Sequence, residues 1–154
     1  MKLTPCLELF FTDLPFADRI AAVADCGYQA GEFWGPGNKD IDAIAKAAER
    51  NNVTITSFTS CIAGLTDPAT HDQVVENFPK DIETAKRLNC KTVIALSGNV
   101  IPKMTRCQMS KNVIEGLKRV APIAEEAGIT IVLELLNSAV NHHDYYIVNS
   151  EDMA

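Results

Sequence analysis

The sequence predicts an α/β fold in which a parallel sheet of about five strands is covered by helices. Three observations carry that expectation. Short runs of strand-forming residues alternate strictly with stretches of helical apolar spacing. The strand-like runs are almost wholly apolar, as strands covered on both faces must be. The helical stretches are amphipathic, each with one stripe to lay on a sheet. With 154 residues the chain can bury one sizeable core, and no linker divides it, so residues 1–154 are expected to form one domain.

The elements follow in order. Leu3 to Phe11 reads as the first strand, ended by Thr12-Asp13-Leu14-Pro15. A helix follows with Phe16, Ile20, Val23 and Ala24 on one face, and Gly27 is its left-handed stop. Tyr28 to Trp34 is the second strand, closed by Gly35-Pro36-Gly37. Asp40 caps a helix that buries Ile41, Ile44, Ala45 and Ala48. Val53 to Phe58 is the third strand, and Thr66-Asp67-Pro68 opens a long helix with Val74, Phe78, Ile82 and Ala85 inward. Lys91 to Leu96 is the fourth strand, followed by the turn Ser97-Gly98-Asn99. The next helix carries Val113, Leu117, Val120 and Ala124 and stops at Gly128. Ile129 to Leu135 is the fifth strand. From Asn137 to Ala154 the chain reads as a polar loop, with a helix starting near Ser150.

Two architectures satisfy this rhythm. One is an open five-stranded doubly wound sheet. The other is part of an eight-unit β/α barrel, which when whole needs about 250 residues. Both put ligands at the carboxyl ends of the strands. There the fifth strand carries Glu134. A carboxylate at the end of so apolar a strand must be desolvated, paired or bound to a cation, which makes Glu134 the leading candidate for chemistry. Glu32 and Trp34 share parity on the second strand and are expected to face the same interior. Trp34 is either a core aromatic or the wall of a substrate pocket, and Glu32 is expected to pair with a polar partner.

Composition narrows the function. The net charge is −6 and the isoelectric point about 5.0, with basic residues scattered, so no stripe tracks a nucleic-acid backbone. No histidine stands at the early strand ends, against a metal-dependent nuclease, and no glycine-rich phosphate loop follows the first strand. No apolar run approaches the roughly 20 residues of a membrane span. The five cysteines, Cys6, Cys26, Cys61, Cys90 and Cys107, are odd in number and far apart. They read as reduced, mostly buried thiols of a cytoplasmic protein. His71, at a helix start, is expected at the surface. The adjacent His142 and His143 make a poor chelating pair, because neighbours on an extended loop point apart.

Several segments together resemble the hydroxypyruvate isomerase-like proteins. They are Glu32-Phe33-Trp34-Gly35, the stretch Asn38 to Ile44, Leu65-Thr66-Asp67-Pro68-Ala69, Leu96 to Val100, Asn112 to Lys118, and Leu133 to Ser138. The tail Val140 to Tyr146 continues the likeness, which spans essentially the whole chain. The resemblance implies a sugar isomerase/epimerase barrel of the xylose isomerase-like kind, represented here by its N-terminal five units. It also implies proton transfer between adjacent carbons through an enediolate. Glu134 matches the family's metal ligand and proton-transfer group. The divalent cation, Mg²⁺ or Mn²⁺ by its oxygen donors, would have an incomplete site, because the other ligands come from strands six to eight. Asn137, just after the fifth strand, either orients a substrate hydroxyl or fixes the loop, and by the same likeness His142 joins Trp34 as a candidate contact for a small-molecule substrate. The chain departs from the pattern at Leu135, Ala139, Asn141 and His143-Asp144, where proline, arginine, aspartate and Pro-Gly are usual. A five-unit piece would leave its first and fifth strands unpaired and so is expected to self-associate through its sheet edges.

Overall fold

A computed structural model of the chain describes residues 3–153. Its elements are α1 (Asp18–Asp25), β1 (Ala30–Phe33), α2 (Ile41–Arg50), β2 (Thr54–Thr59), α3 (His71–Arg87), β3 (Thr92–Leu96), α4 (Arg106–Ala127) and β4 (Thr130–Glu134), with short 3₁₀ turns at Pro68–Thr70 and Ser150–Met153. The four strands form one open parallel sheet in the order β1-β2-β3-β4. This is the geometry of a partial β/α barrel.

Local signals place most of these elements. Asp40 accepts a hydrogen bond from the Ala43 N–H and starts α2. Thr105 and Gln108 form a reciprocal capping box at the head of α4. Positive φ angles at Gly27 and Gly128 close the turns after α1 and α4. Val74, Phe78, Ile82 and Ala85 are all buried along α3, as their spacing requires.

The expected first strand is not one. Within Leu3 to Phe11 a single isolated bridge, Cys6 to Glu32, touches β1, through Leu7 N–H to Glu32 O and Glu32 N–H to Pro5 O. Pro5 has no N–H to extend the ladder, and the chain turns at once, with Leu9 N–H on Cys6 O. Arg19 then holds the turn by donating to the carbonyls of Leu7, Leu14 and Thr12.

The sheet has two unlike faces. Phe33 stacks on Phe58 at 5.6 Å and meets Phe16 edge-on at 5.7 Å. With Ile55, Val93 and Ala95 these rings form the core beneath the helices. Register then puts Glu32 opposite Ser57, Thr59 opposite Ile94, and Leu96 opposite Glu134 on the other face. In a barrel that face is the interior.

Three further expectations are corrected. His71 is 4% exposed, its Nε2 3.0 Å from Leu65 O. It is covered because Gly116 of α4 lacks a side chain there; a Cβ would lie 3.0 Å from Nε2. The cysteines are all free, but only Cys90 is buried, while Cys26 and Cys107 are exposed. The tail is not a solvated loop throughout, because Tyr145, Tyr146 and Ile147 are buried. Among the described residues no helix is long and apolar enough to cross a membrane.

Candidate active site

Glu134 is the last residue of β4 and sits beside Leu96 at the tip of β3. Alternation along the strand turns Ile131 and Leu133 toward the helices and Val132 and Glu134 toward the barrel face. Burial pushes the Glu134 carboxyl above the ordinary carboxylate range, the Glu32 carboxylate adds to the rise, and His142 partly offsets it. Glu32, from a strand about a hundred residues earlier, and His142, from the tail, are thus each within electrostatic reach of Glu134. A carboxyl raised in this way is a better proton acceptor near neutrality than a solvated one.

Glu32 is fixed by its neighbour. Its Oε2 accepts from the Ser57 hydroxyl at 2.9 Å, the polar partner its position demanded. The two strand tips next to Glu134 are tied by Tyr145. Its hydroxyl accepts the Ser97 N–H at 2.8 Å and donates to Glu134 O at 3.1 Å. Tyr146 N–H to Gly98 O and Val100 N–H to Asp144 O pin the same tail segment to the β3–α4 loop. No local signal marked Tyr145, since its partners are distant in sequence.

The other candidates are placed as follows. Trp34 follows the end of β1 and is 57% exposed, so it is not a core aromatic. Asn137 turns its Oδ1 onto the Ala139 and Val140 N–H groups at 2.8 and 3.3 Å, fixing the loop after β4. His142 adopts a left-handed backbone, φ 54°, and its carbonyl accepts the Tyr145 N–H at 2.9 Å. His143 points elsewhere, its Nδ1 2.8 Å from Ser138 O. The histidines therefore diverge.

Among the described residues no group of three His, Cys, Asp or Glu side chains could hold a metal ion. Glu134 supplies one oxygen-ligand group, and the residues present do not make a complete site.

Burial of Glu134 carries a measurable consequence. The folded pKa lies above the unfolded one, so the contribution to stability is present below the unfolded pKa and is lost as pH rises through the folded value. Glu134→Gln is expected to melt higher than the parent at neutral pH, by about 2–4 °C per kcal/mol relieved. The gain should vanish below pH ~4. Thermal melts at a series of pH values check this; equal melting temperatures at neutral pH would refute it.

A 2-oxo-tetronate isomerase of Pectobacterium atrosepticum is 28% identical over 150 residues, covering 90% of this chain and 56% of its own length. A Streptomyces coelicolor protein provisionally named hydroxypyruvate isomerase is 27% identical over 147 residues, covering 85% of this chain and 53% of its own. The chain thus spans little more than half the length of these curated relatives. A crystal structure titled AP endonuclease, family 2, from Brucella melitensis superposes with a TM-score of 0.86 at 23% identity. The match takes in 95% of this chain and 59% of that one, and it bears on the fold alone. The family model for the xylose isomerase-like TIM barrel matches residues 20–154. Parallel β/α units, a carboxylate at the tip of a barrel strand and this match agree: the chain belongs to the xylose isomerase-like TIM barrel family.

Proposed function

We propose that this chain carries one side of the active face of an isomerase acting on small hydroxy-carbonyl acids or sugars. Glu134 is its proton-transfer group. The supporting observation is the position of Glu134 on the inner face at a strand tip, with a carboxyl raised by burial and by Glu32. Two relatives, a 2-oxo-tetronate isomerase and a protein provisionally named hydroxypyruvate isomerase, point the same way.

The chemistry balances on two protons. Glu134 takes one from the hydroxyl-bearing carbon next to the carbonyl. The bonding pair moves toward the carbonyl oxygen to give an enediolate, the hydroxyl proton passes to the former carbonyl oxygen, and Glu134 returns its proton to the former carbonyl carbon. The raised pKa brings base and conjugate acid closer in population. Trp34 would wall the substrate, and Asn137 and His142 would meet its hydroxyls. A bound Mg²⁺ or Mn²⁺ would supply charge stabilisation at the enediolate oxygens. Glu134 would be one ligand, and the remaining ligands would come from outside the described residues. We place the protein in the cytoplasm, with no nucleic-acid or membrane partner, on its acidic charge and free thiols.

Among the described residues the metal-ligand set is incomplete, so these residues by themselves are expected to be inactive or nearly so. Proton exchange in D₂O with hydroxypyruvate and several ketoses, with Mg²⁺ or Mn²⁺ added, tests this. Turnover that Glu134→Gln abolishes would overturn the inactivity and uphold the site. Turnover untouched by that substitution would remove Glu134 from the reaction.

A second reading makes the chain a non-catalytic half-barrel that binds a ligand or associates with copies of itself. The open face supports it, since Val132 and Trp34 are exposed and β4 is paired only with β3 among the described residues. Such edges recruit other strands. Light scattering is expected to return a homo-oligomer, and a monodisperse monomer would exclude edge pairing.

A further inference from the structure

The loop that carries Trp34 is built around a half-buried ammonium group. Lys39 stands just before the Asp40 cap of α2 and turns its side chain back to residues 34–35. Its Nζ donates to Gly35 O at 3.0 Å and to Trp34 O at 3.2 Å. It also lies 2.8 Å from Glu8 Oε1. That contact is an ion pair without hydrogen-bond alignment, and Oε1 has no other partner. The ammonium sits 5.0 Å from the centroid of the Phe16 ring and 5.7 Å from that of Phe33. Only 16% of the Lys39 side chain and 17% of Glu8 is exposed.

A lysine so enclosed is not a free surface cation. Two of its three donors are committed to adjacent carbonyls of one loop, and its charge is balanced by a residue of the N-terminal segment. The aromatic faces supply further attraction for a cation. Gly35 completes the arrangement, because a Cβ there would lie 3.2 Å from Thr59 O of β2. The loop is therefore seated on the β2 tip and clamped from below. Among the described residues no side-chain hydrogen bond or ring stacking holds the Trp34 indole, which is exposed, so what is fixed is the backbone from which it projects.

We infer that Lys39, held by Glu8, is the positioning residue for Trp34, fixing the backbone from which the indole projects. The inference deepens the proposed function, because it rests on Trp34 as a substrate wall for its catalytic meaning. Its structural content stands apart from that reading. Arg19 provides the contrast. It too donates to three carbonyls and lies 5.1 Å from the Phe16 ring centroid, yet it serves the 7–14 turn and not the Trp34 loop.

Trp34 is the sole tryptophan, so its fluorescence reports this loop alone. Time-resolved anisotropy separates local motion of the indole from tumbling of the whole chain. Lys39→Met and Glu8→Gln are each expected to enlarge the fast component and speed acrylamide quenching. Arg19→Met is expected to lower the melting temperature without either change. A folded Lys39→Met with an unchanged fast component overturns the inference, as does an equal change in Arg19→Met. Should Lys39→Met fail to fold, Glu8→Gln decides on the same readout, and an unchanged signal there overturns it. Titration of the parent chain with hydroxypyruvate or a ketose reads the other claim: without quenching, Trp34 is no substrate wall, while the anisotropy result still judges the clamp.

Discussion

Replacing Gly98 with alanine is expected to be among the most damaging single-methyl changes in this chain. Gly98 follows β3 with φ +93°, a region that side chains strain to occupy. A Cβ there would lie 2.6 Å from Gly64 Cα, 3.0 Å from Gly64 C and 3.0 Å from Thr66 Oγ1. Two of those atoms are backbone and cannot swing away. Backbone strain and overpacking together are expected to cost about 2–6 kcal/mol. Gly98 also sits where the Glu134 neighbourhood is assembled, since its carbonyl accepts the Tyr146 N–H and the adjacent Ser97 N–H is held by Tyr145. Displacing it would loosen the tail that brings His142 toward Glu134. Urea unfolding checks the prediction. Gly37→Ala is the control, at φ +47° with nothing within 4 Å of the added Cβ, and is expected to cost only about 1–2 kcal/mol. Equal losses in the two variants would show that the close approach to Gly64 does not matter.

Phe33→Ala is expected to be comparably severe. Phe33 is buried between Phe16 and Phe58, and its ring faces the Lys39 ammonium. Removing it deletes apolar burial and leaves a cavity under the tip of β1, at a cost of about 3–5 kcal/mol. A domain of this size has roughly 5–15 kcal/mol in all, so a large part of its stability is at stake. The expected observation is a large fall in the urea midpoint with little change in slope. Phe33→Leu fills more of the space and is expected to recover part of the loss. A midpoint within about 1 kcal/mol of the parent for Phe33→Ala would mean that the ring stack contributes little beyond what a collapsed site restores.

How much of this was legible in the sequence differs from element to element. Helix α2 was plain, because Asp40 and the spacing of Ile41, Ile44 and Ala48 are local signals. Glu134 at the end of an apolar strand was equally plain, since alternation fixes which face a strand residue takes once the neighbouring core residues are known. The first strand misled for the same local reason. Leu3 to Phe11 has strand composition, but Pro5 and the turn at Leu9 end the pairing after one bridge. His71 misled because its cover comes from Gly116, on another helix.

Periodicity and end-capping act between near neighbours, so the chain's own pattern was enough to determine alternating β/α units, most helix termini and a carboxylate at a strand tip. Tertiary structure alone decided the Glu32–Ser57 bond, Tyr145 across two strand tips, the Lys39 clamp and the burial of His71. Each joins segments whose meeting depends on how the sheet and helices pack. A short-range pattern carries no record of such meetings, because their energy exists only once distant backbone groups have been brought to within hydrogen-bond range.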